Sequence, residues 1–477
     1  MLTALSLPAD PGQLLASQAR LLDTAYRDAA GRITAGTDVS VDRDGRLHVA
    51  ALKAFPEPPS LLDLRKRVQA MLPRVDLPEV ILEVMSWEPG FTAAFTTITG
   101  GRTRLAGLDT SIAACLAAHA MNIGFAPVIS RGVPALERDR LAHVDHTYLC
   151  AENYAAANTP LIEAQARIPL AADWGGGHVA AVDGMRFVVA VPSIYARPSR
   201  KFFGPRRGVT WLNMINDQVA GLGYKVVAGT PRDTLHFLDV VFSQDGGQRP
   251  DVLVTDVGSY ADLTFGLVHL LGMSYRPALA DLPDHRLWRF DPTADYGPLN
   301  TAARGKIDTG RIGRNWPDIL RVSASIYTGS VRAYDVVRAL QRDGHPTPLG
   351  EAVASWGRIF KSFHVLALLD DESYRPDIKG IRNLQEGRHG LAGKIFHGRK
   401  GHIHERYHAG IEDQLGAPSS SSTRWTPTGM TSCLPSSSLA SGAPSGPSSP
   451  RPWQRCRPGT RWCSGSQTGG DARPRTC

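Results

Sequence analysis

Apolar residues in the first third of the chain recur at helical spacing. Residues 12–30, "GQLLASQARLLDTAYRDAA", carry it first. "TDVSVDRDGRLHVAAL" then shortens the period to two, which predicts a hairpin turning at Arg43-Asp44-Gly45. "FPEPPS" at 55–60 reads as a linker, with Ser60 capping a helix whose Leu61, Leu64, Val68 and Leu72 share a face. Helical stretches continue through "LDTSIAACLAAHAMNIG" and "ENYAAANTPLIEAQARI".

Near residue 170 the pattern changes. "HVAAVDGMRFVVAVPSIYA" predicts two strands around Asp183-Gly184, and "YKVVAGT" and "PDVLVTD" predict further strands. "TLHFLDVVF" fits strand or helix. After Asp256 helical spacing returns, ending with "DIKGIRNLQEGRHGLAGKIF". Strands followed by a long helical stretch indicate an α+β core carrying an inserted helical layer.

Pro418 marks a break in composition. Of residues 418–477, 23 are Ser or Pro, and only Leu434 and Leu439 come from the Leu, Ile, Val and Phe set. Such a segment buries too little apolar surface to fold, so it is expected to be disordered. It also holds seven Arg, no Lys and one acid, a net of +6. The formal charge of the whole 477-residue chain is +8, so the other 417 residues carry only +2 (8 − 6). Basicity is therefore weak evidence about the folded part. Four of the six Cys lie in the tail, leaving Cys115 and Cys150, too few for a disulfide framework. That usage suits a reduced cytosolic setting. No apolar run reaches the length of a membrane span, and no signal peptide opens the chain.

Two acids end apolar runs. Asp256 closes "RPDVLVTD", and Asp183 sits in a similar apolar-acid-small context. Asp256 is either a helix cap for the segment starting near Ala261 or a cation ligand. Two carboxylates brought together by neighbouring strands repel one another, and a divalent cation removes that penalty; oxygen ligands favour magnesium or manganese. Glu386, in "NLQEGRHGLAGKIF" with Leu384, Leu391 and Ile395 as the inward stripe, is the candidate third acid; a solvated helix Glu is the alternative. "RPSRKFFGPRRGVTW" places Arg200, Lys201, Arg206 and Arg207 beside aromatics including Trp211, as phosphate contacts with a base-stacking ring or as a solvated loop. In "KIFHGRKGHIHERYH", four His suggest zinc, but interleaved Lys394, Arg399, Lys400 and Arg406 point to a DNA-facing surface. Arg388 and His389, next to Glu386 on its helix, would touch a bound phosphate or anchor Glu386.

Six segments together resemble the replicative transposases of the Tn3 family. They are "ADWGGGHVAAVDGMRFVVAVPSIYA", "KFFGPRRGVTWLNMINDQVAG", "VLVTDVGSYADLTFGLVHLLG", "RVSASIYTGSVRAYDVVRAL", "GHPTPLGEAVASWGRI" and "LQEGRHGLAGKIFHGRKGHIHERYHAGIEDQLGA". The resemblance runs from about residue 37 to Ala417. It implies an RNase H-like mixed sheet with a DDE triad. The family's Asp-Gly-x-Arg-Phe motif falls on Asp183, its Thr-Asp-x-x-Ser-Tyr on Asp256, and its Glu-x-Arg-His-x-Leu on Glu386. By this resemblance the three acids hold Mg2+, with Mn2+ as a substitute. They cut transposon ends and join them to target DNA in cointegrate-forming transposition.

The implied organisation is a partial helix and hairpin region at 1–55, a helical region at 60–168, a catalytic domain at 169–417 with a helical insertion at about 262–375, and the tail at 418–477. The implied partner is DNA, the implied state a homodimer when full length, and the implied place the bacterial cytoplasm at the nucleoid. Family members are about twice as long, so an N-terminal half that reads the terminal inverted repeats is expected to be missing. Past "EDQLGA" the family runs into an apolar helix with a Trp-Asn-Thr motif, where this chain has "PSSSSTRWTPTGM", so a frameshifted tail is expected. Two other readings stay open: an inactive remnant that binds DNA or partner chains, and a stand-alone nuclease.

Overall fold

The computed structural model describes residues 5–35, 38–53, 57–97, 99–100, 105–189, 193, 196–228, 236–256, 261–342, 345–398, 402–403 and 415. All of them lie in the unit Met1–Ala443. The expected tail therefore falls outside the described residues.

Helix α1 (Gly12–Ala35) leads into the expected hairpin, β1 (Val39–Val41) against β2 (Leu47–Val49). Gly45 turns it with φ +75°, a conformation that a side chain resists. Asp42 Oδ1 accepts from the backbone N–H of Asp44 and Arg46 at 2.9 and 2.7 Å and locks the turn. Next come α2 (Pro59–Met71), α3 (Leu77–Trp87), α4 (Pro89–Ala93), α5 (Leu108–Met121), α6 (Arg138–Tyr148), α7 (Ala151–Ala166) and α8 (Pro169–Trp174). Pro58, not Ser60, is the N-cap of α2, because Pro59 at the first helical position has its φ preset and lacks an N–H to satisfy. The helix buries none of its residues, and Leu64 of the expected inward stripe is exposed. Helices α3 to α7 share a core around Ile81, Phe91, Leu116, Leu141 and Tyr154.

The main sheet is built on β3 (Val179–Val189). Strand β4 (Arg197–Pro198), the single turn α9 (Arg200–Phe203), β5 (Arg207–Asn216), β6 (Gly221–Ala228), helix α10 (Phe237–Phe242) and β7 (Val252–Thr255) follow. The expectation of two strands about Asp183-Gly184 is corrected: β3 runs straight through that pair. Unbroken antiparallel pairing with β5 from Ala180 to Val189 holds the two residues extended, and Gly184 leaves room for Thr210 and Leu212 to pack closely across it. Within the ambiguous "TLHFLDVVF", Phe237–Phe242 form α10, which buries Phe237, Leu238, Val240 and Val241.

Strand β5 lies between β3 and β6, antiparallel to both, while β7 is parallel to β3 on its other side. After α11 (Asp262–Leu270), β8 (Ser274–Tyr275) joins β7 in parallel, so the sheet regains a strand inside the stretch expected to be wholly helical. Short strands β9 (Trp288–Arg289) and β10 (Gly305–Lys306) precede α12 (Thr309–Tyr327) and α13 (Ala333–Ala339). Strands β11 (Gln341–Arg342) and β12 (His345–Pro346) precede α14 (Pro348–Asp370) and α15 (Tyr374–Ile395), and β13 (His402–Ile403) pairs with the far end of β3. The architecture is α+β with a mixed sheet.

The helices after β8 share their core with α1. Helices α11 and α14 cross at Gly266 and Gly357, where a Cβ on Gly357 would strike the Asp262 carbonyl oxygen. Tyr26 of α1 stacks on Tyr296 at 4.3 Å, and Trp316 Nε1 donates to Pro8 O at 2.9 Å. Among the described residues no helix is long and apolar enough to cross a membrane.

Candidate active site

Register places the first two acids. Val182 on β3 pairs with Thr255 on the parallel β7, so Asp183 and Asp256 follow at the same level on neighbouring strands. Helix α15 crosses above them. Asp183, Asp256 and Glu386 line one cleft, together with Arg382 and Gln385 of α15. Three acids drawn from motifs up to 203 positions apart (386 − 183) thus meet at one place.

Their surroundings differ. Asp183 Oδ1 accepts from the Gly184 N–H at 2.7 Å. Burial pushes its carboxyl up to about 6 and the negative Asp256 adds to the rise, against the pull of the Gly184 N–H and of Arg186 and Arg382. Asp256 accepts from Arg382 Nη2 at 2.5 Å. Glu386 is exposed on the cleft side of α15, one turn after Arg382. Among the described residues no three His, Cys, Asp or Glu side chains stand close enough to form a metal cluster.

The inward face of α15 is partly polar: Ile381, Gln385, Arg388, Leu391 and Ala392 are buried at helical spacing. Of the expected stripe, Leu391 is buried, while Leu384 and Ile395 are only half-buried. Gln385 Nε2 donates to Asn213 Oδ1 at 2.7 Å. His389 Nε2 lies 2.8 Å from Asn213 Nδ2 and 3.1 Å from Gln385 Nε2. Two amide nitrogens facing Nε2 make it an acceptor and put the ring proton on Nδ1, which lies 3.6 Å from Asp183 Oδ2. Burial, with Arg388 adding, lowers the imidazole to about 4, so the ring is neutral at pH 7.

Arg388 and Trp211 were expected at DNA, and the structure corrects both. Arg388 is 2% exposed, its guanidinium set against Gly221, where a Cβ would collide with it. Burial lowers its pKa to about 10 and the Asp245 charge opposes the fall. Asn158 Nδ2 completes the knot by donating to Gly221 O and Asp245 Oδ2 at 2.8 and 2.9 Å. The anchoring alternative for Arg388 fits this place. Trp211 is fully buried on β5, edge-on to Phe187, so its ring offers no platform to a base. By contrast Arg200, Lys201, Arg206 and Arg207 are exposed. Phe202 beside them carries Arg186 over its ring at 3.8 Å and Lys201 at 5.2 Å.

Arg399 and Lys400 lie outside the described residues, as do His404, Arg406 and His408. Asn122 Nδ2 bonds the carbonyls of His397 and His402 at 2.7 and 2.8 Å, tying both ends of that segment to α5. Sequence reading missed Arg382, Gln385, Asn213, Asn158 and Asp245. Gln385 and Arg388 had a usable signal, since both fall on the Ile381–Leu391 stripe.

The family model described as "Tn3 transposase DDE domain" matches residues 79–419. The transposase for transposon Tn4556 of Streptomyces fradiae is 59% identical over 417 residues, 87% of this chain and 46% of that protein. The transposase for transposon gamma-delta of Escherichia coli (strain K12) is 38% identical over 417 residues, 87% of this chain and 42% of that protein. The transposase for transposon Tn1546 of Enterococcus faecium is 31% identical over 369 residues, 77% of this chain and 37% of that protein. The chain thus spans less than half the length of these curated relatives.

Proposed function

Since the chain belongs to the Tn3 transposase DDE domain family, we propose that it is the catalytic region of a DNA transposase that cleaves and joins strands in replicative transposition. The observation that carries this reading is the meeting of Asp183, Asp256 and Glu386 in one cleft. The sheet supports it too: three antiparallel strands, β6, β5 and β3, continue into two parallel ones, β7 and β8, the order of an RNase H-like core. We assign the catalytic domain to 169–417, the helical region before it to 60–168, the first helix and hairpin to 1–55 and the remainder to 418–477.

The cleft suits a hard divalent cation. Its acids are all carboxylates, and Asp183 holds its proton more tightly because it is buried, with the Asp256 charge adding to the rise. Asp183, Asp256 and Glu386 would hold Mg2+, or Mn2+ in its place. The ion supplies Lewis acidity to the attacking and leaving oxygens of a phosphodiester. The chain's own residues do the positioning. The Asn213–Gln385–His389 network fixes α15 over β5 and turns a neutral imidazole toward Asp183. Arg388, buried against Gly221 on the inner face of α15, leaves Glu386 on the open side of the helix. Arg200, Lys201, Arg206 and Arg207 offer exposed cations to a DNA backbone, with Arg399 and Lys400 as further contacts. Transposon ends and target DNA are the substrates, a homodimer is the state of the full-length protein, and the nucleoid is where it works.

The test is Mg2+- or Mn2+-dependent joining of a pre-cut transposon end with a free 3′-OH, run beside Asp256→Ala. Joining by the wild-type chain that vanishes in the variant is the expected result. No joining from folded protein would leave the remnant reading, a chain that binds DNA or partner chains without turnover.

A further inference from the structure

Arg382 already puts a positive charge among the three acids. It precedes Glu386 by four residues on α15, so both side chains leave the helix on one face, and both line the cleft with Asp183 and Asp256. The guanidinium donates to Asp256 Oδ1 at 2.5 Å, with the Arg382 side chain 30% exposed and that of Asp256 49%. A charge-assisted bond of this kind ranks among the stronger hydrogen bonds and ties up a carboxylate oxygen that a cation would need.

We propose that Arg382 is a displaceable counter-charge: it occupies Asp256 while the cleft holds no cation, and a divalent ion must exchange with it to reach that carboxylate. The proposal rests on the cation-binding reading above and adds to it a threshold for loading. A cleft with Asp256 engaged by Arg382 discourages chance uptake of an ion, and exchange leaves a free guanidinium beside Glu386, where DNA phosphate would lie. Arg382 is in this sense a positioning residue for Asp256.

Direct Mn2+ binding tests the exchange without any turnover. The full chain, free of DNA, is titrated with Mn2+ by calorimetry or by the electron paramagnetic resonance of the unbound ion. Arg382→Gln should bind Mn2+ about tenfold tighter than wild type, the scale of one charge-assisted hydrogen bond that no longer has to be broken. Arg186→Gln is the control for charge alone, because Arg186 acts on Asp183 from the Phe202 side without bonding Asp256; its change should stay under about twofold. Arg382→Lys, which keeps the charge without the fork, should fall between. It also serves as the second variant should the Gln form fail to fold. In an Asp256→Asn background, removing Arg382 should no longer tighten binding.

Arg382→Gln binding no tighter than Arg186→Gln, while Asp256→Asn still weakens binding, overturns the exchange and leaves the cation site standing. Mn2+ binding indifferent to both Asp183→Asn and Asp256→Asn takes down the cation site itself, and the exchange with it.

Discussion

Asn213 stands directly across the sheet from Asp183, and its side-chain amide bridges Gln385 and His389 of α15. One fully buried amide thus joins the strand pair that carries the first acid to the helix that carries the third. Asn213→Leu keeps the branched four-atom side chain but removes the Oδ1 that accepts from Gln385 and the Nδ2 that faces His389 Nε2. The expected loss is about 1–3 kcal/mol, read as a lower urea midpoint at unchanged m.

The raised pKa of Asp183 makes stability depend on pH in an unusual direction. In the unfolded chain this carboxyl titrates near 4; in the fold it is pushed up to about 6. Between those values the native state holds a proton that the unfolded state has lost, so the contribution of this residue falls as pH rises through that window. Asp183→Asn keeps an acceptor for the Gly184 N–H and removes the charge. Without divalent cations it should melt above wild type at pH 7, with the gain disappearing below about pH 4. Added Mn2+ should stabilise wild type and leave the variant unmoved.

Gly357 is where α14 and α11 touch backbone to backbone. Gly357→Ala must push Asp262 and Gly266 away and drag the helices apart. A destabilisation of about 1–3 kcal/mol is expected, visible as a lower melting temperature. Gly313→Ala, where a Cβ meets nothing within 4 Å, is the matched control on α12.

Exposed Arg206 and Arg207 are expected to pair with phosphates. Replacing both by Ala should lower duplex affinity about equally for all sequences. The slope of log affinity against log salt should shrink by about 2, since each lost phosphate contact removes about 0.9. Fluorescence anisotropy over a salt series measures this. A slope that does not change places the DNA elsewhere.

Asp183, Asp256 and Glu386 could be picked out as candidates because each closes or punctuates a recognisable element and the family's three motifs fall on them. Asp256 ends an apolar β-branched run, Asp183 interrupts one, and Glu386 rides a long helix. Strand β5 was not legible as a strand. Its residues from Gly208 to Asn216 are all buried, so no alternation marks them, and Trp211 was read with its basic neighbours as a DNA contact. Arg388 misled for a related reason. An Arg is ordinarily exposed, and the acid that makes its burial tolerable, Asp245, lies 143 positions earlier (388 − 245). Arg382 left no signal, because only the fold brings it to Asp256, across 126 residues.

The seating of α1 bears on how the chain reaches its fold. Tyr26 rests on Tyr296, and Pro8 receives a hydrogen bond from Trp316, 308 residues downstream. At a ribosomal pace of ~5–20 residues per second, the partners of this helix emerge roughly 15–60 s after it does. Throughout that wait Leu15, Leu22, Tyr26 and Ile33 have no core to enter. Helix α1 is then placed only after most of the chain that follows it has emerged, and its apolar face stays uncovered until that point.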